Sequence, residues 1–130
     1  QHPDFNRGIW ARLEGAVREL DSRNDILETY VLTCPVFDFN LPVKTIREAA
    51  DPYGINVPIP HYFVKSVLAE DLKGGLRLWT FMMENKKLNG EFKDYLVKTY
   101  DAEQYVGGRF WDRVIGSDLH EQKAEPGTMW

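Results

Sequence analysis

Two apolar-rich segments joined by a short turn constrain the fold most. They cover residues 61–70 and 76–83, and the five residues 71–75 between them end in two glycines. Glycine can adopt the positive φ angles that tight hairpin turns need. In the second segment the side chains on both faces are mostly large and apolar: Arg77, Trp79, Phe81 and Met83 on one, Leu78, Thr80 and Met82 on the other. This pattern predicts a β-hairpin at the centre of an antiparallel sheet.

The N-terminal residues predict an amphipathic helix. Pro3 and Asp4 suit a helix start, and Asp4 or Asn6 can accept hydrogen bonds from free N–H groups of the first turn. Four apolar residues then recur at spacings of three and four: Trp10, Leu13, Val17 and Leu20. A single apolar stripe means that one side of the helix faces the protein core. We therefore expect this helix to pack on the sheet in an α+β fold.

A second row of residues runs beside that stripe. Asn6, Trp10, Glu14 and Arg18 are each four residues apart, which brings a carboxamide, a carboxylate and a guanidinium to one flank of the helix. These groups could hold a cation and a phosphate. The alternative is an ordinary exposed ion pair between Glu14 and Arg18, with Asn6 as a helix-start residue.

The segments around the hairpin predict further elements. Residues 26–37 suggest a strand whose central residues, 29–32, suit a buried sheet, with Pro35 ending its regular pairing. Residues 38–57 suggest an insertion loop, either with one or two helical turns over 45–50 or as a surface excursion.

The last third of the chain predicts a short extended piece and a short helix. The extended piece covers residues 95–99, and Asp101 and Gln104 then have the form of a capping box. Gly107 and Gly108 should stop that helix. We expect residues 1–118 to form one domain and residues 119–130 a loosely held tail, unless Trp130 docks.

Composition excludes several classes of protein. The chain has 130 residues, 43% of them hydrophobic and 28% charged, which suffices for one globular domain with a core. The net charge of −4 argues against a surface coated in positive charge. The single cysteine, Cys34, excludes an internal disulfide framework. No run of eighteen apolar residues predicts a membrane span, and we expect no membrane partner.

Several ordered motifs resemble one enzyme family. Residues 4–14, Asp-Phe-Asn-Arg-Gly-Ile-Trp-Ala-Arg-Leu-Glu, look like the metal-site helix of the DNA/RNA non-specific endonucleases, the ββα-metal family that includes secreted bacterial nucleases and endonuclease G. Residues 30–35 resemble its "YVxTGP" strand, residues 59–65 its "VPxHFFK" strand and residues 81–85 its "F-x-x-P-N" strand end. Cys34 replaces a usual glycine and Glu84 a usual proline, which affects packing or a turn more than chemistry.

The resemblance implies a ββα-metal nuclease core with the metal-site helix at the N-terminus of this chain. By resemblance Asn6 is the protein ligand of Mg²⁺, or of Mn²⁺ as an alternative. Glu14 would accept hydrogen bonds from the metal's waters, and Arg18 would meet phosphate charge. The implied reaction is hydrolysis of phosphodiester bonds in DNA and RNA.

The family's general base is a histidine in an Asp-Arg-Gly-His motif upstream of this helix, and the motif does not occur here. We therefore expect a C-terminal portion of a nuclease, inactive alone, with the N-terminal half as a second fragment and a homodimer as a further possibility. The alternative function is an inactive nucleic-acid- or protein-binding module on the same scaffold. Family analogy suggests a secreted or periplasmic location.

The other candidate nucleophiles and bases lack a catalytic context. His61 suggests a structural histidine bonded to neighbouring backbone, while His2 lies on the terminal segment and His120 in the polar tail. The three serines lack a nucleophile elbow, and Cys34 lacks a partner histidine, so covalent catalysis is not expected.

Overall fold

A computed structural model describes residues 8–47, 56–114 and 119–130. It contains three α-helices, which are α1 (Ile9–Asp21), α2 (Thr99–Val106) and α3 (Leu119–Lys123), and a 3₁₀ helix over Phe92–Tyr95. Its strands are β1 (Ile26–Val36), β2 (Thr45–Arg47), β3 (Asn56–Pro58), β4 (Tyr62–Asp71), β5 (Leu76–Glu84) and β6 (Leu96–Val97). None of the helices described is both long and apolar enough to cross a membrane.

The predicted hairpin is confirmed as the centre of the main sheet. The four antiparallel strands have the order β1-β4-β5-β6, and Val67 of β4 lies opposite Trp79 of β5. Gly74 takes a φ of +82° in the turn, where the Asp71 carboxylate accepts bonds from the backbone N–H groups of Lys73 and Gly75. Six successive residues of β4, numbers 64–69, are buried. A strand covered on both faces fixes the register of its neighbours.

The first helix covers one face of this hairpin. Four of its side chains are at most 2% exposed: Ile9, Trp10, Leu13 and Leu20. They pack with the side chains of Phe63, Val67 and Ala69 on β4. Each fully buried side chain of this size contributes about 2 kcal/mol of hydrophobic free energy. The predicted apolar stripe is therefore confirmed, and it anchors α1 on the sheet.

The opposite face of the sheet is covered by α2 and the segment that follows it. Val64 of β4 packs with Ala102 of α2 and with Phe110. Ser66, on the same face, bonds to the Thr80 hydroxyl at 2.8 Å and accepts the indole N–H of Trp111 at 2.9 Å. The hydrogen bonds satisfy hydroxyl groups that would otherwise be costly to bury.

The predicted burial of residues 29–32 is wrong in part, because β1 lies at an edge of the sheet. Among the described strands β1 pairs only with β4, and Tyr30 and Val31 are 42% and 44% exposed. Pro35 does not end the pairing, since it lies opposite Phe63 and the register continues to Val36. An edge strand tolerates proline where the missing N–H would point away from the partner strand.

One of the two alternatives for residues 38–57, the helical turns, and the predicted capping box at Asp101 are also wrong. Residues 45–47 form β2, paired with β3, instead of the start of a helical turn, while residues 48–55 lie outside the described part. Helix α2 starts at Thr99 with Lys98 as its N-cap, so the capping box at Asp101 does not form. Its predicted end is confirmed, because Gly107 closes the helix with a φ of +77°.

The C-terminal residues pack against the core. The Trp130 ring lies 4.8 Å from the Trp79 ring, and its indole N–H donates to the Ala16 carbonyl of α1 at 3.2 Å. The Trp79 indole N–H in turn donates to the Thr128 carbonyl. Trp130 therefore docks, and it connects α1 to β5. The division into a domain over 1–118 and a tail stays a prediction.

We expect Trp130→Ala to lower the free energy of unfolding by about 2 kcal/mol, since it removes two aromatic contacts and one hydrogen bond from a half-buried site. Urea denaturation followed by circular dichroism measures this loss. Phe39→Ala is the matched control, because Phe39 is 87% exposed and its removal should leave stability unchanged. Equal stability of both variants would contradict the docking.

Candidate active site on the first helix

Three members of the predicted row, Trp10, Glu14 and Arg18, lie on α1 in the described part of the chain. Trp10 is 2% exposed, and its ring lies 5.8 Å from that of Phe63. One turn on, Glu14 is half-buried, and Arg18 after it is exposed. The structure thus brings Trp10 and Glu14 together at the sheet and leaves Arg18 at the solvent side.

The expected ion pair between Glu14 and Arg18 does not form. The four salt bridges among the described residues join Arg23 to Asp25, Lys86 to Glu84, Lys93 to Glu91 and Lys123 to Glu103. The Arg18 guanidinium instead extends toward Gly15, where an added Cβ would lie 3.8 Å from its nitrogen. The Glu14 carboxylate therefore keeps its acceptor capacity for a ligand or for water.

A buried lysine completes the site, and sequence reasoning assigned it no role. Lys65 of β4 is 6% exposed, and its Nζ lies 4.6 Å from the Trp10 ring centre and 3.3 Å from the Thr33 hydroxyl. Burial lowers the pKa of Lys65, while the negative charge of Glu14 raises it by a smaller amount. A lysine among the apolar residues of a buried strand was the signal that could have marked it.

The predicted metal ligand, Asn6, lies outside the described residues, as does His2. The assignment of Asn6 as the metal ligand therefore stays a prediction. Within residues 8–47, 56–114 and 119–130, no three His, Cys, Asp or Glu side chains converge on a common point.

His61 is structural, as predicted. Its Nδ1 accepts the backbone N–H of Asp38 at 3.0 Å, and its Nε2 lies 2.9 Å from the Pro42 carbonyl. Since Nδ1 is an acceptor, Nε2 carries the proton and donates it to that carbonyl. The imidazole thereby connects the start of β4 to residues 38–42. Cys34 is a half-buried free thiol whose pKa burial raises, which makes it a poor nucleophile.

A second concave region lies on the opposite face of the sheet. It has a volume of about 740 Å³ and is lined by residues of α2 and α3, among them Tyr100, Glu103 and Lys123. Glu103 accepts bonds from the Lys123 ammonium at 2.9 Å and from the Phe110 N–H at 2.6 Å. Glu103 and Lys123 are thus engaged with each other, and through Glu103 they also hold the backbone at Phe110 next to α2 and α3.

The antiparallel sheet with helices packed on both of its faces defines an α+β protein. The chain belongs to the DNA/RNA non-specific endonuclease family, whose model matches residues 1–115. The resemblance seen in the sequence is thereby confirmed.

Individual relatives agree with this assignment. A nuclease of Syncephalastrum racemosum is 28% identical over 123 residues, covering 85% of this chain and 37% of that protein. A nuclease of Serratia marcescens is 24% identical over 130 residues, covering 99% of this chain and 47% of that protein. A chain in the crystal structure of the EndoG/EndoGI complex superposes with a TM-score of 0.66 at 22% identity, over 86% of this chain and 46% of that one. The chain thus spans about half or less of the length of these relatives.

We expect Glu14→Gln to lower the pKa of Lys65 further, because the variant removes the negative charge that favours the ammonium form. NMR titration of the lysine ε-methylene signal measures this change. The free energy of unfolding rises with pH between the pKa of Lys65 in the folded chain and its value of 10.5 in the unfolded chain. Because the variant lowers the folded pKa, this pH range should become wider. Glu19→Gln on the exposed face of α1 is the control; an unchanged Lys65 titration in Glu14→Gln would contradict the coupling.

We expect His61→Ala to lower the free energy of unfolding by about 1 to 2 kcal/mol, because two hydrogen bonds to backbone groups are lost. Urea denaturation followed by circular dichroism measures this loss, and wild-type stability of His61→Ala would contradict the structural role.

Proposed function

We propose that this chain forms part of a divalent-metal-dependent endonuclease that hydrolyses phosphodiester bonds of DNA and RNA. The observation that carries the proposal is the Glu14 carboxylate, which is half-buried on α1 and joined to no cation by a salt bridge in the described part of the chain. In a member of this nuclease family, such a carboxylate is available for hydrogen bonds with a hydrated metal ion.

The metal in this proposal is Mg²⁺, with Mn²⁺ as the alternative. The donor set fits a hard cation that keeps most of its waters, since Asn6 would supply a carbonyl oxygen and Glu14 would accept from coordinated water. The bound ion supplies charge stabilisation on the phosphoryl oxygens. Arg18, exposed one turn beyond Glu14, would contact a phosphate of the substrate.

The general base in this proposal is a histidine on a further segment of polypeptide. Support comes from β1, which has an unpaired edge among the described strands. Leu27 and Val31 are exposed on it. A strand or loop from the N-terminal half of a nuclease would pair with this edge and cover these side chains. A second copy of the chain could use the same edge and form a homodimer.

An inactive binding module is the second candidate. The structure of the EndoG/EndoGI complex concerns a nuclease held by its inhibitor, so a scaffold of this fold can present a surface to a protein. The net charge of −4 also gives little general attraction for nucleic acid. Metal binding at α1 separates the candidates, because the module does not need a metal.

We expect Mn²⁺ to broaden the NMR signals of α1 selectively through its unpaired electrons, and Asn6→Ala to weaken this binding about 100-fold or more. Loss of the only direct protein ligand leaves water-mediated contacts alone. Asn40→Ala, on an exposed loop, is the matched control and should bind like the wild type. Equal broadening in Asn6→Ala would refute Asn6 as the ligand.

We expect cleavage of supercoiled plasmid only when the preparation also holds a polypeptide with the Asp-Arg-Gly-His motif, because that segment carries the base. Intact-mass measurement and a plasmid assay with Mg²⁺, with and without EDTA, test this. In such a preparation Glu14→Gln and Arg18→Ala should each slow cleavage about 10- to 100-fold. Cleavage by the 15.1 kDa chain alone would contradict the separate base.

A further inference from the structure

Lys65 is buried on the α1 side of the sheet, and no carboxylate of the described residues contacts it. The other buried lysine of the described residues, Lys123, is 5% exposed, and its ammonium lies 2.9 Å from the Glu103 carboxylate. A buried ammonium normally requires such a partner. Lys65 is 6% exposed, yet no salt bridge of the described residues includes it. Its ammonium has one hydrogen-bond partner there, the Thr33 hydroxyl at 3.3 Å.

The groups around this ammonium belong to the proposed metal-site helix. The face of the Trp10 ring lies 4.6 Å from Nζ, a distance at which a cation is attracted to the aromatic ring. Glu14 lies one turn further along α1, and its negative charge raises the pKa of Lys65 against the larger lowering by burial. Lys65 lies on β4, of which residues 64–69 are buried, so its backbone is held firmly in the sheet.

We propose that Lys65 is a positioning residue of the nuclease site, which acts through Trp10 and Glu14. Its ammonium holds the Trp10 ring against the sheet and attracts the Glu14 carboxylate toward β4 and β1, away from Arg18. The carboxylate is thereby kept where it can accept hydrogen bonds from a hydrated metal ion. This inference rests on the proposed function for the role of Glu14, but the contacts themselves can be tested without catalysis.

The inference requires a positive charge at position 65, and not merely a long side chain. Lys65→Met keeps the length and apolar bulk but removes the charge, while Lys65→Arg keeps the charge. A structural role in packing alone would be preserved by methionine. The two variants therefore separate positioning by charge from filling of space.

The experiment compares NMR spectra of the 130-residue chain in four forms. They are the wild type, Lys65→Met, Lys65→Arg and a control with Glu103→Gln and Lys123→Met together. The control removes the other buried lysine and its carboxylate partner from the opposite face. The readouts are the indole N–H signal of Trp10 and the γ-methylene signals of Glu14.

We expect Lys65→Met to shift both sets of signals, Lys65→Arg to return them toward the wild-type positions, and the control to leave them in place. Wild-type signals in Lys65→Met, or equal shifts in Lys65→Met and Lys65→Arg, would overturn the inference. If Lys65→Met does not fold, Glu14→Gln decides: the Lys65 ε-methylene signals must then shift, and unchanged signals would overturn the inference as well.

A Mn²⁺ titration of the same samples distinguishes this inference from the proposed function. Wild-type signals of α1 that do not broaden with Mn²⁺ would refute the metal site, whatever the Lys65 variants show. Broadening in the wild type together with unshifted Trp10 and Glu14 signals in Lys65→Met would refute only the positioning role.

Discussion

The buried pairing of β4 with β5 is the constraint on which the rest of the structure depends. Residues 64–69 of β4 are covered on both faces, so α1, α2 and the other strands of the main sheet are placed by the face or edge of this hairpin that they occupy. Helix α1 takes one face through Trp10 and Leu13, and α2 takes the other through Ala102. The position of Glu14 follows from that arrangement, because it lies one helical turn beyond Trp10, whose ring packs on β4.

The two faces accommodate a buried lysine in different ways, and the difference bears on function. Lys123 is neutralised by direct contact with Glu103, which also accepts the Phe110 N–H, and this pair connects two helices. Lys65 has an aromatic face, one hydroxyl and a carboxylate acting through space. The Glu103 carboxylate is therefore engaged by two donors, and the pair stabilises the contact between α2 and α3. The arrangement around Lys65 leaves Glu14 without a salt bridge among the described residues, as the proposed hydrogen bonds to the waters of a metal ion require.

The open edge of β1 connects the fold with the length of the relatives. An exposed strand edge with apolar side chains favours pairing with additional polypeptide. The family relatives are more than twice as long as the stretch matched here, by coverage of 37% and 47%. A nuclease site formed by two portions of polypeptide would place the metal-site helix on one and the general base on the other. The portion with the metal-site helix would then bind the metal without cleaving nucleic acid.

Local periodicity in the sequence determined helix α1, with its apolar stripe, and the hairpin at residues 61–83. Both depend on residues that lie close to one another along the chain. The ordered motifs also identified the family. Tertiary structure alone decided that Tyr30 and Val31 lie at an edge, because the number of strands that β1 pairs with depends on segments far away along the chain. It likewise decided the environments of Glu14 and Lys65. Their relation depends on packing between α1 and β4, which are far apart along the chain, and helical spacing had instead suggested Arg18 as the partner of Glu14. Contacts between distant elements set the electrostatics of a site, and no periodicity encodes them.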